Sequence, residues 1–193
     1  LQRWLLARLR TVHEVRGFRV TVDNTRPDID TEEVLERLGR AIDLLERYQP
    51  WRLAHMRRDV CQLWIVRKPT RGAYYPGRDL VMTELTFLAR TDIDVSVVAA
   101  CILHEGVHAR IDHMRLRPES WDRAREERLC RKAELAFGLM LPEAQGAPVV
   151  ERAEQSLALA DDEVAPDIDR EEAHRRQVAV DRAALKAWRR GAA

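Results

Sequence analysis

Two histidines, His104 and His108, stand four residues apart on either side of Glu105-Gly106-Val107. On a helix, residues four apart share a face, so both imidazoles can reach one metal ion while Glu105 points to the adjacent edge of the same turn. Two imidazole ligands with a neighbouring carboxylate form the set that a zinc hydrolase uses, the carboxylate acting as general base. The motif closes the apolar run 95–103, inside a stretch of residues 94–113 that has no proline and one glycine. This pattern predicts a helix buried on nearly all sides, capped by Asp92 or Asp94. Imidazoles and a carboxylate are unfavourable in such a place without partners, and a bound metal would satisfy both imidazoles. The competing reading is two partly exposed histidines near a helix end, with Glu105 paired to Arg110 or to a neighbouring helix.

A catalytic zinc takes three protein ligands and keeps one position open for water. Residues 121–137 read as a return helix, starting near Pro118 with Ser120 as a candidate cap. On it Glu127, Cys130 and Glu134 are spaced three and four apart and share a face. Glu126, Glu127, Glu134 and Cys130 are all candidate third ligands. Asp112 lies one turn after His108, but a straight helix rarely wraps three ligands around one ion, so Asp112 reads as outer support or as solvated. A carboxylate bonded to a ligand imidazole belongs in such a site, and Glu134 or Asp112 could supply it.

Eighteen residues separate His108 from Glu127. The pattern His-Glu-x-x-His, eighteen residues, then Glu resembles the gluzincin branch of the zincin metallopeptidases, over roughly residues 60–140. The resemblance implies Zn2+ held by His104, His108 and Glu127, with Glu105 polarising the attacking water and a peptide or protein as substrate. It implies a small zincin-like α+β domain, a short β-sheet packed on helices with the metal site on two adjacent helices. One position departs from the family. Four residues after the distal Glu, where an Asp often supports a ligand His, stands Arg131. No motif assigns a subfamily.

The elements that must position these residues follow from periodicity. An amphipathic helix is expected over 1–16 through Trp4, Leu5, Leu9 and Val12, then a strand over 18–22. Thr31 and Glu33 open a helix through Val34, Leu35, Leu38, Ile42, Leu45 and Tyr48, which Pro50 ends. Residues 61–66 read as a strand, 69–77 as a loop, and 80–88 as another strand. The zincin resemblance implies that this last strand borders the cleft, where a peptide could pair with it. Tyr74 and Tyr75, on the loop before it, are candidates for stabilising an oxyanion or contacting substrate, against a plain packing role. Leu141-Pro142 and Gly146-Ala147-Pro148 punctuate the chain, which divides into a metal-binding domain over 1–145 and a helical C-terminal extension over 146–193.

Composition narrows the classes. The net charge is +1, and no basic block interleaved with aromatics points to nucleic acid. Cys61, Cys101 and Cys130 are too few and too scattered for a disulfide framework and read as small buried side chains. Lys68, Lys132 and Lys186 are the only lysines against many arginines, a bias of GC-rich bacterial genomes. With no transmembrane run and no secretory signal, a cytoplasmic location with no membrane partner is expected, although a chain starting at Leu1 is also compatible with a removed leader. The oligomeric state is not readable. Two other functions compete with hydrolysis. One is a non-catalytic zinc-containing interaction module. The other is a ferritin-like di-iron protein, pairing Glu105-x-x-His108 with Glu171-x-x-His174 in a four-helix bundle.

Overall fold

The computed structural model describes residues 10–115, 122–165 and 169–191. Its sheet begins with a hairpin. Strand β1 (Arg10–Val15) pairs antiparallel with β2 (Phe18–Asp23), through the pair Val15 and Phe18 next to the turn. The turn residues Arg16 and Gly17 have φ of 50° and 79°. Two successive positive φ values match the twist of a two-residue hairpin. The helix expected over 1–16 is therefore corrected in its described part. Val12, taken as part of an apolar stripe, is 56% exposed on β1. Trp4, Leu5 and Leu9 lie outside the described residues.

Helix α1 (Thr31–Tyr48) is capped by the Asp30 carboxylate, which accepts from the N–H groups of Glu32 and Glu33. It buries Val34, Leu35, Leu38, Ile42 and Leu45, the face that the spacing gives. Pro50 ends it and also opens α2 (Pro50–Asp59) as its first residue, a place where the missing N–H costs nothing. The apolar pattern had not shown α2, which buries few apolar side chains, chiefly Leu53 and Met56.

Strands β3 (Gln62–Val66), β4 (Gly72–Tyr75) and β5 (Leu80–Glu84) complete a five-stranded mixed sheet in the order β1-β2-β3-β5-β4. β2, β3 and β5 run parallel, and β1 and β4 are antiparallel edges. Two expectations change here. The stretch read as a loop over 69–77 contains β4, hidden between glycines and prolines. The strand read to residue 88 stops at Glu84, whose carboxylate accepts from the N–H of Phe87 at 2.7 Å and caps α3 (Leu85–Ala89). β5 is thus an interior strand, and the free edge belongs to β4.

Helix α4 (Val95–His113) is capped by Asp94, while Asp92 pairs with Arg90. It is buried from Val98 to Gly106 without a break. Gly106 lets α2 approach closely, since a Cβ there would stand 2.5 Å from the Met56 side chain. The return helix α5 (Arg123–Met140) is capped by Asp122. The cap suggested at Ser120 and the start at Pro118 lie outside the described residues.

Helix α6 (Glu143–Leu157) packs on α5 and buries Val149 and Ala153. The division expected between 145 and 146 falls inside this helix. The short α7 (Asp161–Val164) follows, then α8 (Arg170–Gly191). α8 buries none of its own residues; its Asp181 accepts from Arg26 at 2.5 Å and Arg67 at 2.9 Å. The chain is α+β, with a five-stranded mixed sheet that the four-helix frame of the di-iron reading does not include. Among the described residues, no helix is long and apolar enough to cross a membrane.

The α5–α6 crossing is tight enough to test. A Cβ on Gly146 would lie 2.3 Å from the carbonyl oxygen of Gly138, which is backbone and cannot swing away. Gly146→Ala should lower stability by about 1–3 kcal/mol in denaturant unfolding. An unchanged midpoint would show that α6 does not pack on α5 in this way.

Candidate metal centre

The buried turn of α4 carries His104 and His108, and α5 crosses it with Glu126, Glu127, Cys130 and Glu134. The two Nε2 atoms lie 3.1 Å apart. Glu127 completes the triangle, with one oxygen 3.2 Å from His104 Nε2 and the other 3.5 Å from His108 Nε2. Ligands about 2.0–2.1 Å from a tetrahedral ion stand about 3.3 Å from one another. The donor set and its spacing therefore fit zinc. Cys130 is a rival donor, with a ligand atom within 4.8 Å of those of both histidines. Burial pushes its thiol pKa up to about 11, which leaves it protonated at neutral pH without a metal.

Both imidazoles are braced from behind. His104 Nδ1 donates to Glu134 at 2.6 Å, and His108 Nδ1 donates to Glu126 at 2.7 Å. With Nδ1 acting as donor, each Nε2 turns a lone pair toward the shared point. Glu134 thus stands behind His104, where an outer support would stand. At His108 that place is taken by Glu126, which had been weighed only as a ligand. Asp112 instead accepts from the Tyr74 hydroxyl at 3.1 Å. Arg131 is also explained. It donates to Glu134 at 2.7 Å, so the support missing four residues after Glu127 is supplied three residues further on, with Arg131 steadying it.

Glu105 is 7% exposed, and burial, although opposed by His104 and His108, raises its pKa above the ordinary carboxylate value. β4 passes directly over it. A Cβ on Gly72 would stand 2.7 Å from Glu105 Oε1 and 3.1 Å from Cys101 Sγ, so only glycine lets the edge strand come this close. The sequence reading missed Gly72, although a glycine within a strand often marks such an approach.

A cleft of about 1000 Å³ opens over His104, Glu105, His108 and Glu127, walled on one side by β4. Tyr74 and Tyr75 both line it. The Tyr74 hydroxyl is engaged with Asp79 and Asp112, tying β4 to the last turn of α4. Tyr75 packs at a tilt against Trp64, with ring centroids 6.3 Å apart.

Comparison of the chain with protein-family models, curated proteins and solved structures finds no match.

The electrostatics give a pH test on protein treated with a chelator. Desolvation opposes the charge on His104 and His108, but their bonds to carboxylates and, at His108, to Cys130 outweigh it and raise both above 6.5. Their stabilisation is complete below that value and is lost as pH rises through the raised folded pKa. Burial also opposes ionisation of Glu127 and Glu134, but their histidine partners hold both below 4.5, so that contribution disappears as acid is added. Chelated protein should therefore lose melting temperature as pH rises above about 6.5, while zinc-saturated protein should gain relative to it, because metal competes with protons for Nε2. Parallel pH profiles with and without zinc would contradict this assignment.

Proposed function

We propose that the chain is a zinc-dependent hydrolase of the gluzincin kind that cleaves peptide bonds. The observation that carries the reading is the convergence of His104, His108 and Glu127 on one point, with both imidazoles braced by carboxylates and Glu105 beside them. His104, His108 and Glu127 would hold the metal. Zinc in such a site supplies Lewis acidity, making water a nucleophile at neutral pH and polarising a carbonyl.

The remaining work falls to the chain's own side chains. Glu105 takes a proton from the attacking water and returns it to the leaving amine. Its raised pKa suits both halves of that cycle, since a group too acidic would not hold the proton between the two transfers. Glu134 and Glu126 keep the imidazoles oriented, with Nε2 directed at the shared point and made more basic. The free edge of β4 offers backbone groups along the cleft, so an extended peptide would add to the sheet there. The close approach at Gly72 brings that peptide over Glu105. Tyr75, packed on Trp64, serves the wall of the cleft, and Tyr74 serves as a strut.

The non-catalytic module would need the same ligands but gives no use to a buried carboxylate directly under a free strand edge. Glu105→Gln separates the two. The variant should keep its fold and zinc while cleavage of an unbiased peptide library falls by about a hundredfold or more. Equal cleavage by variant and parent would remove Glu105 from the mechanism. Cleavage by neither, with zinc present, would favour the binding module.

A further inference from the structure

The cleft is more cationic than its metal ligands need. Lys68, Arg71, Arg123, Arg131, Arg152 and Arg170 line it, against the carboxylates Glu105, Glu126, Glu127 and Glu134. Three of those carboxylates are already engaged. Glu126 serves His108, Glu127 bridges both histidines, and Glu134 serves His104 and Arg131. A divalent metal would add further positive charge.

Two guanidinium groups stand out. Arg152, from α6, reaches the same wall as Arg131, and its Nη1 is fully buried without a hydrogen-bond partner. Arg131 Nε, beside it on that wall, is likewise buried and unmatched. Arg71 immediately precedes β4 and sits over the Phe87 ring at 5.6 Å. Neither Arg71 nor Arg152 has an ion-pair partner among the described residues. They are close enough to oppose each other, because after burial the charge of Arg152 is the largest influence lowering the pKa of Arg71. The charge of Arg152 also steadies Glu134, but its buried Nη1 and the Nε of Arg131 stay unmatched beside the charge of Arg71, a cost to the fold. A planar anion would relieve it, and guanidinium forks match a carboxylate in two parallel hydrogen bonds.

We propose that Arg71 and Arg152 form a recognition site for a carboxylate of the substrate, with Arg131 closing the wall between them and the metal ligands. The proposal rests on the cleft being the substrate site of the hydrolase described above. The carboxylate is either the C-terminal group of a peptide or an acidic side chain near the scissile bond. Arg71 and Arg152 are positioning residues, holding the peptide along β4 with its reacting carbonyl over Glu105.

The test is equilibrium binding by calorimetry to the full chain, as purified, carrying Glu105→Gln so that bound peptide is not turned over. Three probes are used: acetyl-tetra-alanine with a free C-terminus, its amide, and an amide in which the third alanine is glutamate. At least one carboxylate-bearing probe should bind about tenfold or more tightly than the plain amide. The free acid winning assigns the site to the chain terminus, and the glutamate probe winning assigns it to a side chain. Arg152→Gln and Arg71→Gln should each abolish the preference with zinc content unchanged, and Arg152→Lys should restore part of it. Arg71 reaches solvent before an edge strand, so its variant tests the site even where Arg152→Gln perturbs packing. Equal binding of the three probes, or a preference that survives both glutamine variants, overturns the proposal. A chain that binds no zinc yet keeps the preference would refute the hydrolase and leave the anion site standing. A zinc-loaded, cleaving chain without the preference would do the reverse.

Discussion

Two imidazole nitrogens 3.1 Å apart, each with its other nitrogen bonded to a carboxylate, cannot rest buried as neutral bystanders. Their lone pairs face each other and the oxygens of Glu127, so the centre of the triangle suits a cation, whether a proton or a metal. Much of the surrounding architecture reads as a consequence. Three carboxylates of α5 face one turn of α4, and Arg131 offsets part of their charge. Had the histidines only needed satisfying, one acceptor each would have sufficed. The third carboxylate, placed between them, is what makes the cluster a candidate metal centre rather than a simple buried polar network.

The fold holds this triangle by close approaches rather than by long-range charge. Gly106 lets Met56 of α2 press against α4, Gly138 and Gly146 bring α6 against α5, and Gly72 lets the sheet edge pass over Glu105. At each of these glycines a Cβ would press on its neighbour, most severely at Gly146, where the neighbour is the Gly138 backbone. Catalytic geometry is sensitive to small displacements of this kind. The parallel core strands supply the rigid layer beneath, and the antiparallel strand β4 turns an unpaired edge toward the cleft. An exposed edge is ordinarily a liability; under the proposed function a peptide would complete it.

The centre of this arrangement was legible in the sequence because its signals are local. The four-residue spacing of His104 and His108, the unbroken apolar run before them and the shared face of Glu127 and Glu134 all follow from helical periodicity. What was not legible depends on tertiary placement. Glu126 and Glu127 are adjacent, and nothing in the chain says which one bridges and which one braces. β4 is four residues between glycines and prolines, too short to show alternation, and only pairing with β5 makes it a strand. Residues 10–15 had an apolar spacing compatible with a helix, but the Arg16-Gly17 turn committed them to the hairpin. Arg152 came from a segment read as a separate extension, so its place in the cleft wall could not be anticipated. Asp112 lay on the right stripe but one turn too far along, where it meets Tyr74.

The most direct measurement is zinc-edge X-ray absorption on the full chain, purified without added metal, together with its metal content. One zinc per chain, ligated only by nitrogen and oxygen at about 2.0–2.1 Å, is the expected result, and Glu127→Ala should remove most of the metal. A sulfur ligand at about 2.3 Å would move the third position to Cys130, and a folded chain with no transition metal would contradict the centre altogether.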